Sequence, residues 1–427
     1  MSSKHYMDQM RNWGIPAAYA GAAIAAGLTL PRIEGRMFPD LVAVLSVAQA
    51  TAIYSAIASG MIALTGIVFS LAFVMVQFSA TAYSPRLVLW IARDPVMSHS
   101  LGIFTATFLY ALAALASIDR SGSGRVPFVS LWVVLGLLVA SVAMFIALVQ
   151  RISMLQITRM LVFTGDQGRK VIETNYPATK SALVAAGQDD YRVLPCSQTL
   201  IHRGKPRSIQ KVHVATLVNL AKLSGGVIEM AVAVGDTVVE LMPLLRVFGA
   251  RHPIVERELR DGIEIGAERT FAQDPKYAIR LLVDIAIRAL SPAINDPTTA
   301  VQALDQIEDL LVRLGQRHLE IGAYRDSDGN LRLVVPFPAW EDLLRLGLDE
   351  ICFCGATSVQ VMRRMNALVA DLISYMPEER RPAILHWGGR LKDMIARSFA
   401  DGEERSEALK EDRQGLGVAS QSSSKSA

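Results

Sequence analysis

Long uncharged apolar runs alternate with short polar breaks over the first third of this chain, and the pattern then changes character. Residues 14–30, GIPAAYAGAAIAAGLTL, carry no charge, nor do residues 51–78, 101–118 or 126–150. The first run, about 17 residues after a polar start with Lys4, Asp8 and Arg11, also fits a signal-peptide core, but further spans follow it. The second is longer: about 28 residues at ~1.5 Å each reach ~42 Å, so a helix here must tilt or project beyond a ~30 Å hydrocarbon core. The third and fourth runs are joined by the polar turn DRSGSGR. Four spans leave both termini on one side.

Beyond residue 150 the periodicities become those of a water-facing protein. Residues 151–190 read as a helix leaving the membrane, with Arg151, Arg159, Arg169 and Lys170 at headgroup depth. Short β-like runs follow, 193–195, 199–201 and 226–240, the last with Val234-Gly235-Asp236 as a hairpin turn. Helical spacing marks 213–223, and from Arg269 onward every segment reads as helix, opened by Asp274-Pro275, Pro338, Ser358 and Pro377. The expected organisation is a four-span transmembrane domain over 1–150, a juxtamembrane helical linker over 151–190, a small β-rich module over 191–250, a helical domain over 251–400 and a disordered tail over 401–427. The fold class is thus a membrane α-helical region followed by a cytoplasmic α+β domain with a β module and a helical bundle.

Composition sharpens this picture in three places. The chain is 51% hydrophobic over 427 residues, with a mean hydropathy of +0.31, high for a soluble protein. A net charge of +3 without a dense Lys/Arg stripe argues against a nucleic-acid partner. Cys196, Cys352 and Cys354 form no CxxC pair and read as packed thiols of a reducing compartment. Lys4, Arg11, Arg86, Arg93, Arg151 and Arg159 lie on the side of the termini, against Arg32, Arg36, Arg120 and Arg125 on the other. By the positive-inside rule, the termini and the large C-terminal part are placed in the cytoplasm.

Projected as a helix, the second run gathers Ser55, Ser59, Gly66, Ser70, Gln77 and Thr81 within about a quarter of its circumference, opposite Leu64, Val68, Leu71 and Met75. Such a face serves close helix packing, or it lines a water-filled path in a symmetric oligomer. Tyr83 and Arg86, beside Pro85, suit an interfacial helix end or a gate. No Asp or Glu falls inside the four runs, which argues against a proton-coupled carrier. The seven histidines show no HExxH or other metal-ligand spacing, and GxxxxGK[ST], GxSxG and GxGxxG are all lacking, so no catalytic, cofactor-binding or metal residue is nominated.

The stretch ALSPAINDPTTA, residues 289–300, is the most distinctive polar feature. Arg280, Asp284 and Arg288 form an i, i+4 ladder before it, Pro292 stops that helix, and Asp296-Pro297 caps and starts the next. It reads as a helix-loop-helix corner, or as a corner where Arg288, Ser291, Asn295 and Asp296 meet a ligand, with Asn295 the residue lacking a structural task.

Three segments together carry a family resemblance: SGMIALTGIVFSLAFVMVQFSATAYSPRL, QDPKYAIRLLVDIAIRALSPAINDPTTAVQALDQ and GDTVVELMPLLRV. They resemble the bacterial predicted membrane proteins grouped as domain of unknown function 2254, from the first span to about residue 375. That resemblance implies an integral membrane protein with a cytoplasmic domain, and it implies no activity, substrate or catalytic residue. GDTVVELMPLLRV also faintly resembles half of a biotinyl- or lipoyl-type module, but no lysine stands at the turn to carry a prosthetic group, so a purely structural β domain is expected. The leading functional expectation is a homo-oligomeric channel in the lipid bilayer, its ion or solute ligand unspecified. The alternatives are a membrane-anchored sensor or scaffold that binds a ligand or protein, and then a membrane-tethered enzyme.

Overall fold

A computed structural model describes residues 3–37, 46–82, 95–121, 126–153, 157–177, 191–400 and 402–417. The chain divides into two compact units, Met1–Gln156 and Ile157–Ala427.

The first unit is built from helices α1 (Ser3–Met37), α2 (Val47–Ala82), α3 (Pro95–Ser121) and α4 (Phe128–Ser153). Within them Gly14–Glu34, Val47–Ser70, Val96–Ala116 and Phe128–Gln150 are long and apolar enough to cross a membrane. A helix satisfies its own backbone hydrogen bonds, which is what hydrocarbon demands. Helix α3 packs on the other three. Its contacts depend on small residues: a Cβ at Gly27 of α1 would stand 2.7 Å from that of Ala113, and one at Gly102 would stand 2.6 Å from the Tyr19 ring. Tyr54, Phe104, Tyr110, Ala111 and Val134 fill the centre.

The second unit combines two sheets with a helical layer. Strands β1 (Cys196–Ile201), β5 (Pro243–Phe248), β3 (Val227–Met230), β8 (Leu331–Val334) and β7 (Ala323–Arg325) form a five-stranded sheet in that order. Only β3 and β8 pair in parallel, with Ile228 opposite Leu333. Strands β4 (Thr237–Val238), β2 (Arg207–Val212) and β6 (Ile263–Gly266) make a second, antiparallel sheet. Ile209, Leu217, Ile228, Leu245 and Leu333 share one core that includes helix α6 (Val214–Ser224). A short helix α7 (Glu256–Asp261) precedes β6.

The helical layer comprises α5 (Ile157–Asn175), α8 (Pro275–Ala289), α9 (Pro297–Gly315), α10 (Trp340–Cys354), α11 (Val359–Tyr375), α12 (Arg381–Ser398) and the short α13 (Glu403–Ala408). Apolar residues recur at helical spacing on α8 and α9, so Leu282, Leu304, Ile307 and Leu311 are fully buried. Each such side chain contributes roughly 1.5–3 kcal/mol.

Several expectations are corrected here. Val234-Gly235-Asp236 does not close a hairpin, because β3 and β4 belong to different sheets; the turn carries the chain from one to the other, with Asp236 accepting the Ala233 N–H at 2.9 Å. The region after Arg269 is not wholly helical, since β7 and β8 complete the larger sheet from outside residues 191–250. Residues 402–417 are folded rather than structureless: Asn366 donates to the Ala408 carbonyl at 3.0 Å, and Arg413 pairs with Asp371 of α11 at 2.6 Å. Of the three thiols only Cys352 is buried.

Asp326 locks the β7–β8 hairpin. Its carboxylate accepts from Arg332 Nε at 2.7 Å and from the backbone N–H groups of Asp328 and Asn330 at 2.9 and 3.0 Å. The Arg332 hydrogen bond, helped by those amides, holds its pKa down at about 2. A depressed carboxylate stabilises the fold fully above its unfolded pKa of about 3.9, and that contribution disappears as pH falls toward 2. Thermal unfolding of Asp326→Asn should therefore begin lower than wild type at pH 7, and the gap should close near pH 2. A gap independent of pH would contradict this.

Candidate functional site

Helix α2 buries one side and turns the other outward. Tyr54, Ile57, Ala58, Met61 and Val68 are buried in the bundle, while Ser59, Gly66 and Ser70 are exposed and Ser55 is half-buried. At about 100° per residue the exposed small and hydroxyl residues lie roughly opposite the buried set. A Cβ added at Gly60 or Gly66 would meet nothing within 4 Å. Ile62 and Phe69 border this weakly polar strip on one side and Ile67 on the other, and Phe73 lies at its edge, all four exposed. Gln77 and Thr81 continue the helix, but their side chains lie outside the described ones, and Tyr83 and Arg86 lie outside the described residues altogether.

A polar network missed by sequence reasoning closes one end of the bundle. The first apolar helix runs past residue 30 to include Glu34, whose side chain is buried. Its carboxylate accepts the N–H groups of Val129 and Ser130 at 2.8 and 3.2 Å, capping the first turn of α4. Such free amides and the positive end of the helix dipole suit an anion. The Ser130 hydroxyl in turn meets Tyr110 at 3.0 Å and Tyr54 at 3.3 Å. Deeper in the bundle, Thr107 and Ser141 join α3 to α4 at 2.9 Å. Glu34 is thus a structural cap; its only sequence signal is a lone acid just beyond an uncharged run.

In the second unit the 289–300 corner takes the shape of a helix stop and restart. Asp296 accepts the Thr299 N–H at 3.1 Å and its hydroxyl at 2.5 Å, and its own N–H donates to the Ala289 carbonyl at 2.8 Å. The Ser291 carbonyl accepts from Ile294 and Asn295. Asn295 has φ of 50°, a left-handed conformation that Asn tolerates better than most residues, so it does have a structural task. Arg280 pairs with Asp284 at 2.7 Å and crosses to Glu350 of α10, tying α8 to its neighbour. Arg288 is half-buried one turn before the corner, its carbonyl accepting the Ser291 N–H at 3.1 Å.

Two further polar groupings stand out. Asp274 does not use its carboxylate as a helix cap; Arg269 takes one oxygen at 2.6 Å, and the other is buried with no hydrogen-bond partner among the described residues. Burial raises its pKa against the pull of Arg269. Gly235, at φ of 91°, approaches so closely that a Cβ there would lie 2.1 Å from the same carboxylate, so only glycine fits. On the sheet, the buried carboxylate of Glu229 accepts from Arg192 and Tyr191 at 2.6 and 2.9 Å beside an open cavity of about 540 Å³. Among the described residues, no group of three or more His, Cys, Asp or Glu is arranged to hold a metal ion.

Four apolar helices of membrane-crossing length, followed by a mixed α/β unit, define a multi-span membrane protein. Residues 9–371 match the family described as "Predicted membrane protein (DUF2254)", and the chain belongs to it. An uncharacterized protein of Mycobacterium bovis is 26% identical over 418 residues, covering 93% of this chain and 78% of the relative. An uncharacterized protein of Mycobacterium tuberculosis strain H37Rv is similar to the same extent. No solved structure matches the chain.

Proposed function

We propose that this chain assembles into a symmetric homo-oligomeric channel of a bacterial inner membrane, with α2 lining the path. The α/β unit and both termini are placed in the cytoplasm, where that unit assembles or gates the pore. One observation carries the reading: the strip of Ser59, Gly66 and Ser70 faces away from its own bundle, opposite Tyr54, Ile57, Met61 and Val68, and is bordered by the exposed Ile62, Ile67 and Phe69. Facing lipid, hydroxyls and glycines gain little, since small polar residues in membrane helices serve close helix approach or a wet cavity. Copies arranged about an axis would convert the strip into rings of hydroxyls, with Ile62 and Phe69 on one side and Ile67 on the other sealing the contacts between them. Hydroxyl rings discriminate charge weakly compared with acidic or basic rings, so low charge selectivity is expected.

Cross-linking between copies in native membranes tests the arrangement. With Cys196 and Cys354 replaced by serine, Ser59→Cys and Gly66→Cys should form oxidative dimers, and Val68→Cys, on the buried side, should not. Failure at residues 59 and 66, or equal yields at all three positions, would sink the proposal and favour the anchored sensor or scaffold.

A further inference from the structure

We infer that the end of the α/β unit that carries Ile157 is a lipid-docking surface, seated on the headgroup region through Phe353 and Ile294. This inference requires only that the preceding helices span the membrane, and is independent of whether they form a channel.

The helix directions define that end. Thr158 of α5 meets Gln302 of α9, Arg169 meets Asp309, Glu173 meets Arg313 and the Tyr176 carbonyl meets Arg317, so the two helices run parallel. The start of α9, and the 289–300 corner before it, therefore share an end with Ile157. Helix α10 runs the opposite way to α9: Gly315 lies against Trp340, and Gly347 lies against Ile307. Its final turn, with Phe353 and Cys354, thus returns to the same end. Helix α12 follows α10, since Trp340 donates to the Arg380 carbonyl at 3.2 Å and Trp387 to Asp349 at 2.7 Å. Arg397, late in α12, arrives there too. The sheets lie toward the other end, where Tyr176 packs on Phe337.

What this end exposes matches a bilayer surface. Phe353 is 75% exposed and Ile294, at the tip of the corner, is 44% exposed. Neither is used in the core of the unit. Between α10 and α12 an open cavity of about 460 Å³ has Phe353, Trp387 and Met394 on its walls, with Arg390 and Arg397 balanced by Asp349, Glu350 and Asp393. Exposed aromatic and aliphatic side chains such as Phe353 and Ile294 are what the glycerol level of a bilayer accepts, while Arg390 is held by Asp349 at 3.4 Å. The occupant follows from connectivity: only residues 154–156 separate Ile157 from Ser153, the last residue of an apolar helix of membrane-crossing length. This end is held near lipid by the chain itself, which a diffusing partner is not.

The full chain in lipid nanodiscs provides the test. A fluorophore is placed on Cys354 in Cys196→Ser protein, or on Cys196 in Cys354→Ser protein, and the nanodiscs contain a phospholipid with a nitroxide on its headgroup. Both thiols are exposed. Quenching at Cys354 should exceed that at Cys196 several-fold, and Phe353→Asp should cut it about twofold or more without changing the protein's unfolding temperature. Equal quenching at the two sites would overturn the proposal. So would strong quenching at Cys354 that survives Phe353→Asp, which would show proximity by tether alone. Protection of Cys354 from aqueous iodide without nitroxide quenching would also overturn it, because a protein surface would then be the cover.

Discussion

Replacing Arg364 with methionine is expected to destabilise the α/β unit by roughly 3–5 kcal/mol, lowering its unfolding temperature by on the order of 10 °C at neutral pH. Arg364 of α11 is only 4% exposed and bridges two acids of α9, Asp305 at 2.8 Å and Glu308 at 2.5 Å. Glu308 is itself mostly buried, and burial already raises its pKa against the opposing pull of Arg364. Removing the guanidinium leaves a carboxylate among buried side chains without its counter-charge, which costs far more than a surface pair would. The sign of the pH dependence follows. A carboxyl whose folded pKa is raised destabilises the fold once ionised, so the defect should be full at neutral pH and shrink as pH falls through the raised value. The second substitution Glu308→Leu should recover much of the loss. Intrinsic fluorescence of Trp340 and Trp387 in the detergent-solubilised chain follows the unfolding. A variant within about 1 kcal/mol of wild type, or a double variant no better than the single one, would contradict the assignment of a buried, compensated pair.

The large pattern was legible because each part of it is local. Charge-free runs locate four apolar helices, and Asp296-Pro297 announces a helix start that the Asp296 to Thr299 hydrogen bonds then make. What escaped depends on distant partners. Glu34 became a cap only through α4, about a hundred residues further on, and the exact end of an apolar run is poorly marked by composition. Strands β7 and β8 are three and four residues long, too short for alternation to separate them from helix ends, and β8 is fixed by parallel pairing with β3. Asp274 precedes a proline in the manner of a cap, yet the nearby Arg269 takes its carboxylate. The tail folds because Arg363, Asn366 and Asp371 of α11 offer it partners, which its own polar composition does not reveal. On α2, periodicity collected the weakly polar strip; which way it faces required the positions of Tyr54 and Met61 in the core.

Ser59→Trp should reduce the unitary current of the reconstituted protein by roughly tenfold or more. The position is exposed on the weakly polar strip, so an indole there adds bulk without disturbing the bundle core, and the unfolding temperature should stay close to wild type. In a ring of copies every subunit would bring the same indole to the axis, so one substitution is multiplied by the symmetry. Val68→Ala, on the buried side of α2, should do the reverse and lower stability by about 1–3 kcal/mol while leaving the path open. Current through planar bilayers containing the purified chain tests the channel most directly. Wild type should show discrete openings of weak charge selectivity whose amplitude Ser59→Trp cuts roughly tenfold or more; a silent wild-type protein, or openings that Ser59→Trp leaves at full amplitude, would contradict a channel.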